Sequence, residues 1–485
     1  DYAEKQEIIS SLTLMDDLFM KVVLQDKQCT EYILQTILDN AKLKLKKQIL
    51  QKNLSNLHGH SLILDCLCED ETNNIYNIEI QNTLENSYVS LIKEQNYAEA
   101  MKLAETLRLL DPKNPEYSHK IAYVYLQQLK WEEAINAELE TLKLDDSYTP
   151  ALDLLAHAYG GMANWERAGF YGHLSLTLKD KAIITPEQEM VPDTCPKGGK
   201  RIISFSLFGN NSKYVEPAVL NTQVSPILFP GWICRFYVDD SVSETAIRRL
   251  KNNGAEVVNI TEPLDKWPGP MWRFIAINDP EAEYVIFRDA DSVISHREAA
   301  AVAEWIESGR AFHTMRDSGS HTALILAGMW GAKAGSVPDM QQRIQRFIDK
   351  GFDSSHFADQ DFLAEELWGY IRQDLLAHDR VFNFCNPKPF PGHFEPSYQI
   401  AHCQGASVFN AETSYKDGSK IRWTLYSQVS PLVNPDYSFI RVPEFKVCSY
   451  EDRVKNGSFN ASIPRRYGFA FSQGLARIDI EQIID

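Results

Sequence analysis

Two carboxylates, Asp289 and Asp291, stand one residue apart directly after the run Tyr284-Val285-Ile286-Phe287-Arg288. Apolar and aromatic residues carry such a run into a core, and the chain leaves it with two aspartates that share a side. Hard carboxylate oxygens suit Mn²⁺ or Mg²⁺, and a metal held this way can bridge the two phosphates of a nucleotide-sugar. Isolated Asp-x-Asp pairs are common in the surface turns of an acidic protein. The position at the end of a buried strand is what makes this one specific. Departure of a diphosphate builds negative charge, which a metal and an arginine stabilise. Arg273, in Trp267-Pro268-Gly269-Pro270-Met271-Trp272-Arg273, is placed either to bind diphosphate or sugar or to form a salt bridge within its helix. Arg288, just before the aspartates, points away from them into a structural pair.

These residues need a scaffold. From Lys200 onward short apolar runs alternate with amphipathic ones. Arg201–Phe208, Cys234–Val238, Ala255–Ile260 and Glu283–Arg288 read as strands, and stretches around 214–225, 242–253 and 270–278 read as helices. The alternation predicts a mostly parallel sheet with helices on both faces, which binds ligands at the carboxyl ends of its strands. Phe205, Ser206 and Asp239 end the first two strands. His313, Arg316, Asp317 and His321 cluster after the strand Ala311–Met315, as the lip of a sugar or acceptor pocket or as a solvated loop. Strand-like runs at Lys420–Tyr426, Tyr437–Val442 and Phe445–Tyr450 either cover the acceptor side or form a small separate extension.

Taken in order, these elements resemble the glycosyltransferases of the GT-A fold over roughly residues 200–410. Asp289-Ala290-Asp291 matches the metal motif. Leu326-Ala327-Gly328-Met329-Trp330-Gly331 resembles the small-residue strand that lines the sugar pocket, and Asp359-Gln360-Asp361-Phe362-Leu363 the acidic motif that opens a later helix. The resemblance implies base and ribose near Phe205, Ser206 and Asp239. It also implies sugar contacts from Ala327, Gly328, Gln360 and His313. Asp359 and Asp361 would be catalytic, Asp361 binding the transferred sugar or serving as base if the anomeric centre inverts. A late histidine commonly completes the metal shell; His402, in Ala401-His402-Cys403-Gln404-Gly405, takes that role, with His393 in reserve.

Upstream lies a strict period. Asn96-Tyr97-Ala98-Glu99-Ala100 recurs 34 residues later as Lys130-Trp131-Glu132-Glu133-Ala134, and after the same step as Asn164-Trp165-Glu166-Arg167-Ala168. Ala122 and Ala156, and Tyr125 and Tyr159, keep the same step. This resembles the tetratricopeptide repeat over about residues 84–184. Stacked helix pairs share one continuous core and offer a concave groove. The groove implies a protein or peptide partner, and the alternative is a rigid spacer.

Residues 1–85 contain no Arg, Pro or Trp, although the whole chain holds 22 Pro and 9 Trp. Two strand-like runs, Ser61–Cys68 and Ile75–Gln81, flank a polar turn and place Asp65 opposite Glu79 and Gln81 across a hairpin. Two carboxylates so placed can hold Mg²⁺ and activate a water. The segment 12–82 resembles the first half of the PD-(D/E)xK nuclease family transposases, which makes Asp65, Glu79 and Gln81 its active-site remnant. The resemblance stops at Asn82, where the repeats begin, and implies a truncated, inactive fragment.

The balance of 49 basic against 66 acidic residues, a net charge of −17, argues against binding nucleic acid by bulk electrostatics and against a polybasic membrane anchor. No run reaches the roughly 18 apolar residues that span a bilayer. The start, Asp1 to Lys5, does not read as a signal peptide, and the eight cysteines show no tandem zinc spacing. Reduced thiols and a cytoplasmic location are the expectation.

The sequence therefore predicts a multidomain α/β protein. A partial α+β segment spans residues 1–83, an α-solenoid of three helix-pair repeats 84–185, and a GT-A-type, Rossmann-like domain 196–410. A β-rich extension follows at 411–485. The expected activity is metal-dependent transfer of a sugar from a UDP- or GDP-sugar to an acceptor. A repeat scaffold with an inactive transferase fold is the alternative, and a DNA-cleaving protein the third.

Overall fold

The computed structural model describes residues 26–37, 42–55, 61–71, 74–78, 83–183, 197–352, 355, 357–392, 405–436 and 438–483. The chain divides into two compact units, Asp1–Leu154 and Leu155–Asp485. The expected repeat array, 84–185, is thus shared between them.

In the first unit a helix, Lys27–Ile37, precedes three antiparallel strands, β1 (Leu45–Ser55), β2 (Ser61–Asp70) and β3 (Ile75–Ile78), in the order β1-β2-β3. Strand β1 is an element the sequence reading missed, because its lysines and glutamines mask the alternation. The expected hairpin is present as β2 and β3, with Cys66 opposite Ile78. Asp65 lies on β2; Glu79 and Gln81 fall outside the described residues.

The helices Thr83–Lys93, Tyr97–Leu110, Pro115–Gln127 and Trp131–Leu144 follow. Their period has a visible cause. Ala100, Ala134 and Ala168, one repeat apart, are all fully buried, as are Ala122 and Ala156. Only a methyl fits where paired helices cross this closely. The turn between the helices of each pair also repeats. Gln95, Leu129 and Ala163 adopt φ of 59°, 58° and 56°, and the amides of Asn96, Lys130 and Asn164 reach back to the carbonyls of Leu91, Tyr125 and Tyr159.

The second unit begins within the helix Thr149–Gly161 and includes the helix Trp165–Ala182. The latter packs on the sheet domain. Asp180 accepts from Trp368 Nε1 at 2.6 Å and from Arg372 at 3.0 Å, and the His173 ring meets the Phe382 carbonyl at 2.9 Å.

Among the described residues the sheet has seven strands in the order β10-β8-β9-β7-β4-β5-β6. They are β4 (Lys200–Leu207), β5 (Trp232–Val238), β6 (Glu256–Asn259), β7 (Ala282–Arg288), β8 (Phe312–Arg316), β9 (Met329–Lys333) and β10 (Leu375–Asp379). All neighbours run parallel except β9, which is antiparallel to both β7 and β8. The helices Ser212–Leu228 and Glu244–Asn252 occupy the crossovers β4-to-β5 and β5-to-β6. The stretch expected as a helix near 270–278 is a 3₁₀ segment, Gly269–Asn278. Among the described residues no helix is long and apolar enough to cross a membrane.

Residues 406–483 are not a separate extension. Strands β11 (Ala406–Glu412) and β14 (Ser458–Pro464) pair with each other, and β12 (Lys420–Val433) lies between β13 (Phe439–Arg453) and β15 (Ala476–Gln482). The two runs expected at 437–442 and 445–450 form parts of the single strand β13, with Tyr437 outside the described residues. Ile421, Trp423, Leu425, Phe459 and Ile463 share one core with β4, β5 and the helix Ser212–Leu228. Buried Glu216 on that helix accepts two hydrogen bonds from Arg249, at 2.6 and 2.8 Å, and one from the Tyr450 hydroxyl at 2.6 Å.

Candidate active site

A cleft of about 740 Å³ opens at the carboxyl ends of β4 and β7. Ser206, Arg273, Asp289, Asp291, Ala327, Gly328, Asp359 and Gln360, all singled out from sequence, line it.

Arg273 organises the floor. It is 2% exposed, and its guanidinium donates to Asp289 Oδ1 at 2.6 Å, to the Arg288 carbonyl at 3.0 Å and to Asp359 Oδ2 at 2.6 Å. Arg273 forms the salt bridge expected of it. Its partners sit in other elements rather than in its own helix. Two serines on β4 set its backbone: Ser204 Oγ donates to the Arg273 carbonyl at 2.7 Å, and Ser206 Oγ accepts its amide at 3.0 Å.

The turn carrying the aspartates is pinned from behind. Asn221, fully buried, donates to the Ser292 carbonyl at 2.8 Å and accepts the Ile294 amide at 2.9 Å. Arg288 turns away from the cleft, as expected, pairing with Glu298 at 2.9 Å and holding the Gly328 carbonyl at 2.7 Å. Gln360 accepts the Ala327 amide at 3.1 Å and donates to the Ile325 carbonyl, so the acidic helix clamps the loop before β9. That helix, Ala358–Phe362, continues through a wider π turn, Leu363–Leu367. At Gly328 the fit is close: a Cβ there would meet the Asp289 carboxylate, which would have to shift.

The two aspartates differ electrostatically. Burial pushes the Asp289 carboxyl up, but the charge and hydrogen bond of Arg273 outweigh it, with Arg288 and His321 acting the same way, and hold it below the usual carboxylate range. Asp291 is pushed up, first by burial and then by the neighbouring Asp289 charge, against the pull of Lys213, whose Nζ is 3.7 Å from Oδ2. Asp359 is also raised, by burial and by Asp289 against the pull of Arg273. The site thus holds more negative charge than its arginine balances.

Other expected residues lie elsewhere. Phe205 is fully buried and stacks on Phe236 with ring centroids 4.7 Å apart, so it belongs to the core and not to a base pocket. A strand end alternates faces, and Ser206 takes the cleft side. Phe205→Ala should cost about 3–5 kcal/mol in urea unfolding. Asp239 caps its own turn, accepting the Ser241 amide at 3.1 Å, and is not on the cleft. His313 is fully buried under the sheet edge, its Nε2 2.8 Å from His378 Nδ1, and so forms no pocket lip. Arg316 and Asp317 are buried too, whereas His321 does line the cleft. Asp361 is half-buried and lies off the cleft, because one helical step of about 100° separates neighbouring side chains and two steps turn it away from Asp359. His402 and His393 fall outside the described residues, although the Gly405 amide donates to the Asp291 carbonyl at 3.2 Å. Among the described residues no group of three His, Cys, Asp or Glu side chains is placed to hold a metal.

Sequence reasoning missed Lys213, Tyr214, Arg465 and His157 on the cleft wall. They come from the first crossover helix, the C-terminal helix Arg465–Ser472 and the repeats, and only tertiary packing collects them. His157 is pushed down to about 4 from an ordinary 6.5, first by burial and then by His321. The folded chain keeps it neutral while the unfolded chain protonates, so stability is full above pH 6.5 and falls as pH drops toward 4. The loss should reach up to about 3 kcal/mol. Urea midpoints at pH 7 and pH 4.5 measure it, and His157→Gln should flatten the difference.

No family model matches the chain, and no curated protein matches it. Solved structures do. Tetratricopeptide-repeat domains are among them. The Sgt2 domain from Aspergillus fumigatus is 20% identical, with a TM-score of 0.20, and the match covers 20% of this chain and 65% of that one. The Arabidopsis OM64 domain is 14% identical, with a TM-score of 0.19, over 20% of this chain and 81% of that one. An O-GlcNAc transferase mutant from Thermobaculum terrenum is 14% identical, with a TM-score of 0.25, over 40% of this chain and 36% of that one. The chain thus spans less than two thirds of the first and third of these. None of the matches assigns it to a family.

Proposed function

We propose that the second unit is a metal-dependent glycosyltransferase of GT-A type that takes a UDP- or GDP-sugar as donor. The observation that carries this reading is the pair Asp289 and Asp291 at the end of β7, opening on a cleft that Asp359 also lines. A hard divalent cation fits there on the chemistry of the donors: two carboxylates, one of them pushed up by its neighbour, with Gly328 leaving room for Asp289. Asp289 and Asp291 would hold Mn²⁺ or Mg²⁺, with His402 as third ligand, and the ion would offset the charge of the departing diphosphate.

The chain's own groups do the rest. Arg273 fixes Asp289 against Asp359. Lys213 and Arg465 on the cleft wall supply positive charge for the diphosphate. Ser206 offers a hydroxyl at the end of β4. Ala327 and Gly328 leave a shallow floor for the sugar, and Asp359 and Gln360 border it. The repeats would hold a protein or peptide partner. Their first-unit helices carry a cavity of about 640 Å³ lined by Glu105, Arg108, Tyr125, Glu133 and Lys143, among others.

The test is a panel of UDP- and GDP-sugars with Mn²⁺, with release of free nucleoside diphosphate measured for wild type and Asp291→Ala. Turnover of one donor, reduced at least 100-fold in the variant, is expected. Absence of both turnover and donor binding would leave a repeat scaffold with an inactive transferase fold.

A further inference from the structure

We infer that Lys213 is an exchangeable counter-ion for Asp291: its ammonium yields that carboxylate to the divalent cation and turns to the diphosphate instead. The inference rests on the transferase reading above and adds a coupling between metal and nucleotide.

The two aspartates are paired unequally. Asp289 belongs to buried Arg273, which is fixed by three acceptors: Asp289 Oδ1 and Asp359 Oδ2 at 2.6 Å each, and the Arg288 carbonyl at 3.0 Å. Asp291 faces Lys213 instead, with Nζ 3.7 Å from Oδ2 and the lysine side chain 40% exposed. At that distance the two attract as charges without a normal hydrogen bond. Nζ also donates to the Tyr214 hydroxyl at 3.2 Å and lies 4.8 Å from the centre of that ring. A guanidinium is a rigid planar fork, whereas an ammonium is a point charge on a flexible stem. A partly exposed ion pair of this kind stabilises little and gives way readily. Of these two cations, only Lys213 can leave its aspartate at small cost.

The backbone under Lys213 is fixed, so the exchange is confined to its side chain. Lys213 lies in the first turn of the 17-residue helix Ser212–Leu228, and Asn211 caps that helix by accepting the Lys213 amide at 2.9 Å. Ser212 Oγ donates to the Ser462 carbonyl at 2.6 Å, which ties the helix start to β14 just before Arg465. Arg465 and Gly405 border the same cleft, and the Gly405 amide donates to the Asp291 carbonyl at 3.2 Å. A helix dipole favours anions at its first turn and disfavours a cation there, so helix stability does not account for a lysine at this position. An anion held at the helix start accounts for it. Phosphate oxygens are strong partners for an ammonium, stronger than a carboxylate whose charge a metal already offsets. With the cation alone, Lys213 loses Asp291 and gains nothing. With a diphosphate present it gains a new partner, so cation and diphosphate favour each other through Lys213, and reciprocally.

Calorimetry on the whole chain tests this, first with Mn²⁺ alone and then with UDP and GDP in saturating Mn²⁺. Lys213→Met keeps the length of the side chain and removes its charge. Mn²⁺ alone should bind about fivefold more tightly to that variant, because no ammonium contests Asp291. The nucleoside diphosphate that wild type binds should bind about tenfold more weakly, for want of a charged donor. Opposed shifts are the signature, since a lysine with a purely structural role would weaken both on removal. Lys213→Arg keeps the charge and should bind Mn²⁺ within about twofold of wild type. Mn²⁺ affinity unchanged or weakened in Lys213→Met, nucleotide affinity undiminished there, or an equal gain for Mn²⁺ in Lys213→Arg overturns the exchange. The transferase reading would survive any of these, because it stands on donor turnover. Wild type that binds neither Mn²⁺ nor either nucleotide overturns that reading, and this inference with it.

Discussion

Gly328→Ala should abolish the proposed sugar transfer while leaving the protein folded. The added methyl would meet Asp289 at 2.0 Å from Oδ2 and 2.4 Å from Cγ, inside any tolerable contact. The backbone at Gly328 cannot retreat, since its carbonyl is held by Arg288, which Glu298 holds in turn. Asp289 must therefore swing, and its bond to Arg273 goes with it. A displacement of about 1 Å at a reacting group costs on the order of 100-fold in rate. We expect a loss of at least that size in kcat/KM and a tenfold or greater weakening of Mn²⁺ binding by calorimetry. The change touches no apolar core residue, so the thermal midpoint should move by only a few degrees. Wild-type activity in Gly328→Ala would mean that Asp289 has no part in the reaction.

The second large effect is on stability. Arg273→Gln removes the cation that Asp289 and Asp359 share at 2.6 Å each and leaves two carboxylates facing each other with Asp291 nearby. Breaking a buried pair from one side costs about 3–5 kcal/mol, because the abandoned charge remains in a poorly solvated place. Asp359, at 7% exposure, carries more of that cost than Asp289, whose side chain is half exposed. Chemical denaturation at pH 7 measures the loss. The double variant Arg273→Gln with Asp359→Asn should recover much of it, since the amide needs no counter-charge. It should not recover activity, because Asp289 would still lack its orienting partner. Stability additive across the two substitutions would show that the pair is not coupled.

Much of the second unit was legible because its signals are local. Apolar runs mark β4, β5 and β7 to within a residue or two, since burial on both faces of a parallel sheet leaves an unmistakable hydrophobic signature. The 34-residue period was readable for the same reason: Ala100, Ala134 and Ala168 are each needed wherever two helices cross, so the sequence repeats with the structure. Failures came where alternation is ambiguous. Phe205 and Ser206 are adjacent on one strand end and face opposite ways, and sequence position does not say which side is the cleft. Asp359 and Asp361 pose the same question on a helix. His313 and His321 both looked like pocket residues, yet β8 buries the first and the loop after it brings the second to the cleft.

The sequence by itself determined that this chain carries helical repeats joined to a mostly parallel sheet, and that two aspartates leave its fourth strand. Spacing suffices for that, because helix and strand periods are properties of the backbone. The surroundings of those aspartates were decided by tertiary structure alone. Arg273 arrives from a 3₁₀ segment, Gly328 from the turn before the reversed strand β9, Lys213 from a crossover helix, Arg465 from the C-terminal helix Arg465–Ser472 and His157 from a repeat helix. Contacts between residues tens to hundreds of positions apart leave no periodic trace in a single sequence. They exist because each element buries its own apolar face, and the cleft is the place where those separately driven packings meet.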